Sequence, residues 1–413
     1  AGSGLAGGAI PLGAPIVIAM TKMNNILEVD IDNRIAWVEP GVINLELSDY
    51  LQPLGFHYAP DPSSQQICTL GGNVANNSGG PHCLADGVTD THVLAMEVVL
   101  PDGDVALFGG LDAEPEGLDL RGAFIGSEGT LGITTKIAVR LTPNPDDVQT
   151  ILISFPSMRK AAETVSAIIA DGIVPAAMEA MDQKTIEVIE QHIPAGYPTN
   201  AGAVLLVEVE GLADGVEIDA LRIGEIAETH EADDIKIAQT SYQRDALWKG
   251  RKSAFGASTY LAPNYYLHDT VVPRSELANV LDKVNQLAEE NDLTIMNVFH
   301  AGDGNLHPLI MFDGSDKEQL RKTEEFGAEI LKACVKHGGA LTGEHGVGIE
   351  KRELMCESFN NDDIQQQLNI KNSLDEKNLL NPGKVYPILR KCAEEGRVHV
   401  HRGEEKFPDL PRF

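Results

Sequence analysis

Residues 69–80 read Thr-Leu-Gly-Gly-Asn-Val-Ala-Asn-Asn-Ser-Gly-Gly, and this run of small and neutral polar residues is the most informative stretch of the chain. Two other stretches share its character, Gly2-Ser3-Gly4-Leu5-Ala6-Gly7-Gly8 before it and Gly126-Ser127-Glu128-Gly129-Thr130-Leu131-Gly132 after it. Small residues let the backbone approach a large ligand closely, and Ser, Thr and Asn side chains form neutral hydrogen bonds with it. Three such stretches within the first third of the chain predict one shared ligand-binding surface.

The opening stretch also matches the pattern G-x-G-x-x-G, which in a Rossmann fold begins the helix beneath a nicotinamide pyrophosphate. Here Pro11 and Pro15 follow the glycines, and a proline removes an N–H group that a helix interior requires. The sequence therefore argues against a nicotinamide site. A glycine loop can still bind phosphate through its backbone N–H groups without a helix, and a purely structural turn is the equal alternative.

Length, charge and cysteine count set limits on the function. A chain of 413 residues is long enough for two or three packing units. The 62 acidic residues outnumber the 32 basic ones, and the formal charge of -30 would repel nucleic acid, so we expect no nucleic-acid partner. Five cysteines without C-x-x-C spacing argue against an iron–sulfur cluster, a zinc ribbon or a disulfide framework.

Apolar content and the first residues bear on location and completeness. No stretch approaches the roughly 20 apolar residues of a membrane span, so we expect a cytoplasmic protein without a transmembrane segment. The chain starts at Ala1, not at Met, and enters the glycine-rich loop directly, where a strand would normally lead in. We therefore expect a fragment that lacks its first segment.

The pattern of predicted elements changes near residue 145. Before it, short strands separated by turns are predicted at 16–20, 34–41, 94–103 and 132–143. After it, strands at 150–155, 203–211 and 235–241 alternate with amphipathic helices at 158–170, 216–230, 275–291 and 316–337. Ser275 is placed to cap the third of these helices. The sequence therefore predicts an α+β protein.

A second constellation lies in the C-terminal half. Gly302-Asp303-Gly304-Asn305 separates two apolar runs, which predicts a hairpin with His300 and His307 at the same end. Farther along the chain, Glu344 and His345 stand between two glycines. A single histidine is more often a core or surface residue than a ligand. Two imidazoles and one carboxylate together can hold a divalent ion and leave positions open for a substrate.

These segments together resemble the FAD-linked 2-hydroxy-acid dehydrogenases, the family that includes the D subunits of bacterial glycolate oxidases and the D-lactate and D-2-hydroxyglutarate dehydrogenases. The resemblance covers nearly the whole chain. It implies an α+β fold with an FAD-binding domain of the vanillyl-alcohol-oxidase, PCMH type at 1–145, whose first subdomain is incomplete. It further implies a cap domain with an antiparallel sheet at 146–370, and a segment at 371–413 that returns to the flavin domain and ends in a surface tail.

The same resemblance assigns site residues. The family positions that contact FAD correspond to Gly2, Ser3, Gly4, Gly7, Gly8, Pro60, Ser64, Thr69, Gly71, Gly72, Asn73, Asn76, Ser78, Gly79, Glu128, Gly132, Ile133 and Asn381. His300, His307 and Glu344 match the ligands of a divalent metal, for which Zn, Mn and Fe are all suitable. His345 matches the catalytic base. Arg251 matches a clamp for the substrate carboxylate, and an exposed helix arginine is its alternative.

Some relatives attach their flavin covalently through a histidine, and His82 is the nearby histidine in this chain. The subfamily that this chain resembles usually binds FAD without a covalent bond. We therefore expect noncovalent FAD.

The implied reaction is the oxidation of a small 2-hydroxy acid, with glycolate as the leading substrate and D-lactate as the second. Such an acid can chelate one ion through its carboxylate and hydroxyl oxygens, which fixes the Cα–H bond in space. His345 could then take the hydroxyl proton while hydride leaves for the flavin. The preference for glycolate rests on the similarity of residues 399–413 to tails of the D subunits.

Electrons stored on a flavin must leave it, and the sequence offers no second redox centre. The resemblance implies an iron–sulfur subunit and a second FAD-type subunit as partners, which would place the protein peripherally at the inner membrane. Two other functions are open to the same residues. One is a metal-dependent hydrolase in which His300, His307 and Glu344 activate water, and the other is a non-catalytic subunit of the same complex.

Overall fold

The computed structural model describes residues 1–13, 16–111 and 117–387. The predicted surface tail, including residues 399–413, lies outside these ranges. The described residues divide into two compact units: the first contains Ala1–Gly80, Asp86–Asn144 and 344–387, and the second contains Pro81–Ala85 and Pro145–Gly343. The first unit thus takes up the chain again at Glu344, before the predicted return at residue 371, because residues 345–349 hydrogen-bond to its loops.

The first unit is built on antiparallel strands. In the described ranges these are β1 (Ile26–Asp30), β2 (Ile35–Val38), β3 (Phe56–His57), β4 (Val93–Val99), β5 (Val105–Gly109), β6 (Ile133–Arg140) and β7 (Thr142–Pro143). Five of the described strands form one sheet in the order β1-β2-β6-β4-β5, and β3 pairs separately with β7. Buried Val38, Met96 and Ile137 form part of the core against this sheet.

The strand predicted at 16–20 is wrong. Residues 16–20 have no strand conformation, and the Ile16 side chain is 92% exposed. An apolar run gains stability in a sheet only where a neighbouring strand pairs with it, and no described strand does so here.

The second unit is also built on an antiparallel sheet, as predicted for the cap domain. Its described strands are β8 (Asp147–Phe155), β9 (Ala177–Asp182), β10 (Ala203–Gly211), β11 (Asp234–Ile237), β12 (Asn264–Leu267), β13 (Thr270–Val271), β14 (Thr294–His300), β15 (Asn305–Leu306) and β16 (Pro308–Phe312). Their order is β11-β8-β10-β9-β14-β15-β13, and β16 pairs with both β12 and β14.

Helices complete both units. The described α-helices are α1 (Asn44–Leu51), α2 (Leu70–Asn76), α3 (Cys83–Asp86), α4 (Thr89–His92), α5 (Leu120–Phe124), α6 (Met158–Ala170), α7 (Gln183–His192), α8 (Ala213–Thr229), α9 (Ser241–Ala257), α10 (Leu277–Glu290), α11 (Lys317–Lys336), α12 (Met355–Ser358) and α13 (Asn361–Leu374). Short 3₁₀ helices occur at Gln52–Leu54, Ser258–Tyr260, Arg274–Glu276 and Arg352–Leu354.

The sheet of the second unit is covered on both faces. Helices α6, α8, α10 and α11 contribute to one apolar core and α7 and α9 to the other. Side chains alternate between the two faces of a strand, and in β10 Leu205 packs in the first core while its neighbour Val204 packs in the second. A polar side chain on such a strand is therefore buried and needs a partner.

Two local expectations need correction. Ser275 does not cap α10, which begins at Leu277 after a 3₁₀ turn that contains Ser275. The strand predicted at 235–241 ends at Ile237, because the Thr240 hydroxyl instead accepts the Gln243 N–H and caps α9.

Candidate active site

The three glycine-rich stretches meet in the first unit, and a ligand shared by them stays a prediction. The Gly126 N–H donates to the Val74 carbonyl oxygen, and the Glu128 N–H donates to the Ala75 carbonyl oxygen. Each N···O distance is 2.8 Å. The opening loop joins them, because a Cβ at Gly4 would lie 3.4 Å from Asn76 Nδ2. The remaining predicted flavin contacts lie in the same unit: Gly2, Ser3, Gly7, Gly8, Pro60, Ser64, Gly71, Gly72, Ser78, Gly79, Gly132 and Ile133.

Several side chains of helix α2 and its N-cap form hydrogen bonds with other groups of the protein. The Thr69 hydroxyl accepts the Gly72 N–H and begins the helix. Asn73 Oδ1 accepts a hydrogen bond from Asn44 Nδ2 at 3.1 Å. Asn76 Nδ2 donates to the backbone oxygen of His345 at 2.9 Å. The stretch at 69–80 therefore shapes the loop around it and also holds the predicted base by its backbone.

Residues 381–384 close the opening loop. Asn381 Nδ2 donates to the carbonyl oxygens of Gly8 and Glu128, at 3.0 and 2.7 Å. Lys384 Nζ donates to the same Gly8 oxygen at 2.9 Å and to that of Ile10 at 2.5 Å. Burial lowers the pKa of Lys384 to about 8. The sequence predicted Asn381 at the site but not this role of Lys384.

The Glu128 carboxylate anchors a second loop. It is buried and accepts the backbone N–H groups of Val347 at 2.7 Å and Gly348 at 2.8 Å. Burial raises the pKa of Glu128, although these two hydrogen bonds favour the charged form. The carboxylate thus holds the loop that follows His345, and a flavin contact by Glu128 stays a prediction.

Two glycines of the predicted flavin-binding loops leave room for a ligand beside the backbone. A Cβ at Gly2 or Gly129 would meet no atom within 4 Å, and both glycines have the left-handed backbone, with φ of +78° and +73°. The backbone at these positions therefore faces open space, and a phosphate could approach it closely.

The two predicted histidine ligands meet in the second unit. The hairpin prediction is confirmed, because His300 at the end of β14 pairs with Asn305 at the start of β15. The His300 and His307 rings are edge to face, with centroids 5.1 Å apart. Both side chains are almost fully buried. Burial excludes a surface role for these two histidines, and metal binding by them stays a prediction.

A buried carboxylate that the sequence analysis missed lies beside His300. Glu179 on β9 is the cross-strand partner of His300 on β14. Its Oε1 lies 2.6 Å from His300 Nδ1, and its Oε2 accepts from Arg251 Nε at 2.7 Å. Burial by itself would raise the pKa of Glu179, but the charges of Arg251 and His300 outweigh it and lower the pKa. The sequence feature that could have revealed Glu179 is an acidic residue within an otherwise apolar strand segment.

Arg251 is 2% exposed, so the alternative of an exposed helix arginine is wrong. Arg251 lies on α9, and its Nη2 forms an ion pair with Glu179 Oε2 at 2.5 Å. The two groups are not aligned for a hydrogen bond. Whether it clamps a substrate carboxylate stays a prediction.

Asp269, which was also missed, stands beside His307. Its Oδ1 lies 3.9 Å from His307 Nδ1. Its Oδ2 accepts from the Thr342 hydroxyl at 2.5 Å and from the Gly343 N–H at 3.0 Å. Glu344 is the next residue of the chain. Glu344 and His345 open the last segment of the first unit, where Glu344 Oε1 lies 3.9 Å from His345 Nε2.

His82 is held by neighbours of its own in the second unit. Its Nε2 lies 3.5 Å from Glu208 Oε1, and its ring stacks on Trp248 with centroids 5.9 Å apart. Glu208 is buried and also accepts from Thr150, Arg244 and Trp248. These contacts give His82 a structural role, and noncovalent FAD stays a prediction.

Glu208 makes stability depend on pH. Burial would raise its pKa, but hydrogen bonds from Arg244 and His82 lower it far below the ordinary 4.5. The stability from ionised Glu208 is therefore complete above about pH 4.5 and is lost as the pH falls toward the lowered pKa. We expect urea denaturation to show a free energy of unfolding that falls less steeply in Glu208→Gln than in the parent. The pH range for this comparison is roughly one unit either side of 4. Equal slopes would contradict this.

Comparison with known proteins agrees with these features. A family described as "FAD linked oxidases, C-terminal domain" matches residues 144–385, and one described as "FAD binding domain" matches residues 1–109. The chain belongs to the FAD-linked oxidase family. It is 44% identical to the glycolate oxidase subunit GlcD of Escherichia coli strain K12 over 413 residues, which are 100% of this chain and 83% of that protein.

Other members of this family are also similar along most of their length. The glycolate oxidase subunit GlcD of Bacillus subtilis is 42% identical over 386 residues, which cover 93% of this chain and 82% of that one. A D-lactate dehydrogenase of Archaeoglobus fulgidus is 34% identical over 391 residues, which cover 93% and 84%. The family membership makes this chain an FAD-binding oxidoreductase.

Solved structures confirm the fold. A p-cresol methylhydroxylase with substrate bound has a TM-score of 0.72 at 18% identity, covering 90% of this chain and 79% of that one. The 4-ethylphenol oxidase from Gulosibacter chungangensis has a TM-score of 0.70 at 18% identity, covering 88% and 79%. The predicted α+β fold with a PCMH-type FAD-binding domain is therefore confirmed. Within the described ranges, no helix is long and apolar enough to cross a bilayer.

Proposed function

We propose that this family member oxidises a small 2-hydroxy acid, with glycolate as the first substrate and D-lactate as the second. The observation that carries the proposal is the buried pair of His300 and His307, each beside a buried carboxylate. The similarity to two GlcD subunits along the chain supports the choice of substrate.

His300, His307 and Glu344 would hold a divalent metal ion, and two imidazoles with one carboxylate suit Zn, Mn or Fe. The position of Glu344 in the chain supports its role as the third ligand. Asp269, which stands beside His307, accepts the N–H of Gly343, the residue before Glu344. When bound, the ion polarises the substrate hydroxyl and lowers its pKa. The carboxyl and hydroxyl oxygens of a 2-hydroxy acid can reach one ion together, which selects for this class of substrate.

His345 would be the base that takes the hydroxyl proton, and FAD, when bound, would supply the hydride acceptor. The hydrogen bond from Asn76 to the His345 backbone supports this role, because it ties the base to a loop of the FAD-binding domain. Arg251 would attract the substrate carboxylate. The glycine-rich loops and Asn381 would surround the FAD phosphates and ribose.

Electrons would leave through partners. We propose an iron–sulfur subunit and a second FAD-type subunit as acceptors, because the two GlcD relatives are named as subunits of an oxidase. Contact with these subunits would keep this protein on the cytoplasmic side, peripheral to the inner membrane.

The test is anaerobic reduction of the bound flavin, monitored by its absorbance at about 450 nm. We expect bleaching with glycolate, slower bleaching with D-lactate, and loss of both after chelation or in His300→Ala and His307→Ala. A flavin that stays oxidised with both acids would overturn the proposal.

A further inference from the structure

Glu179 joins two groups that the proposed function uses. Its Oε1 contacts His300 Nδ1 at 2.6 Å, and its Oε2 contacts Arg251 Nε at 2.7 Å. The Glu179 side chain is fully buried, and Arg251 and His300 are nearly so. A carboxylate buried this deeply is stable only because both its oxygens are paired.

The contact with His300 decides which ring nitrogen can bind a metal. A carboxylate paired with a guanidinium accepts hydrogen bonds and has no proton to donate, so His300 Nδ1 must carry the proton. The lone pair of the neutral ring then lies on Nε2. A carboxylate behind a ligating histidine also raises the basicity of the ring and fixes its orientation.

The contact with Arg251 limits how a substrate can be bound. Nε donates to Glu179, and Nη2 forms the ion pair with the same oxygen. Nη1 takes part in neither interaction. Nη2 forms no hydrogen bond of its own, so a substrate carboxylate would meet Arg251 at the edge formed by Nη1 and Nη2, and the charge of Arg251 would already be partly balanced.

We propose that Glu179 is a positioning residue of the active site, which presents His300 Nε2 to the metal and fixes Arg251 with the edge formed by Nη1 and Nη2 toward the substrate. This inference rests on the proposed function. It adds a residue to the site that touches neither substrate nor metal. Its effect should be visible in metal affinity as well as in turnover.

The chain offers a matched control in Glu208. This glutamate lies on β10, next to β9, and is as deeply buried as Glu179. It also pairs with an arginine of α9, because Arg244 and Arg251 stand seven positions apart on the same helix face. Glu208 contacts His82 and neither His300 nor Arg251. Replacing it removes a buried carboxylate without changing the proposed metal ligands.

The test measures the affinity of the FAD-loaded protein for Zn²⁺ alone, by competition with a coloured chelator. We expect Glu179→Gln to weaken binding by about 10–100-fold, the usual effect of losing the partner of a ligating histidine. The Zn²⁺ affinity of Glu208→Gln should stay within about twofold of the parent's, since the proposed metal ligands keep their hydrogen-bond partners. Melting temperatures of both variants report the loss of stability that any buried glutamate would cause.

The outcomes separate this inference from the proposed function. Parent protein that binds no Zn²⁺, Mn²⁺ or Fe²⁺ overturns the proposed metal site and the inference with it. Parent-like affinity in Glu179→Gln, with metal lost in His300→Ala, overturns the inference alone. If unpaired Arg251 prevents Glu179→Gln from folding, Glu179→Gln/Arg251→Met removes both charges, and the same loss of affinity is expected there.

Discussion

His345→Gln should lower the rate of flavin reduction by about 10²–10⁴-fold, the usual contribution of a positioned general base. Glutamine preserves the approximate size and hydrogen bonding of the side chain but does not accept the hydroxyl proton. The backbone oxygen of His345, which accepts from Asn76, is unchanged by the substitution. FAD content and metal content should therefore stay at the parent level. Single-turnover reduction by glycolate without oxygen measures the step directly.

His337→Gln is the control for this prediction. His337 follows α11 and pairs with Glu276 at 2.8 Å, and it belongs to neither the glycine-rich loops nor the metal site. Its substitution should leave flavin reduction unchanged. If His345→Gln reduced its flavin as fast as His337→Gln, another group would have to be the base.

The sequence predicted those parts of the site that depend on neighbours along the chain. His300 and His307 stand on either side of a four-residue loop whose glycines and Asp303 favour a hairpin, so their meeting follows from local turn chemistry. The glycine-rich stretches were likewise recognisable one by one, because each carries its own small residues.

The missed residues depend on the register of distant strands. Glu179 meets His300 across 121 positions of sequence, and the pairing of β9 with β14 decides which side chains stand opposite. A shift by one residue would turn Glu179 to the other face of the sheet. Asp269 reaches Gly343 across 74 positions in the same way. No local pattern specifies such contacts.

Glu128 shows a different limit. The sequence placed it in the right loop, but a carboxylate in a glycine-rich stretch does not reveal what it binds. Its partners are the N–H groups of Val347 and Gly348, about half the chain away.

Gly348→Ala should prevent normal FAD binding, because it disturbs two loops at once. Gly348 has a φ of +51°, and a Cβ there would collide with the Ala6 carbonyl oxygen and lie 2.9 Å from the Gly8 nitrogen. The left-handed backbone costs alanine about 1–2 kcal/mol, and overpacking adds about 1–3 kcal/mol. The Gly348 N–H also donates to Glu128, so a shift of residue 348 would break this anchor as well. We expect purified protein with little flavin absorbance and a lower melting temperature.

Gly103→Ala separates the collision from the backbone cost. Gly103 lies in the same unit, in the turn between β4 and β5, with a φ of +93° and no atom within 4 Å of a Cβ. Its substitution carries the left-handed penalty of about 1–2 kcal/mol but displaces no neighbour. It should lower the melting temperature modestly and keep a full complement of FAD. Equal FAD content in the two variants would mean that the contact of Gly348 with the opening loop does not shape the flavin site.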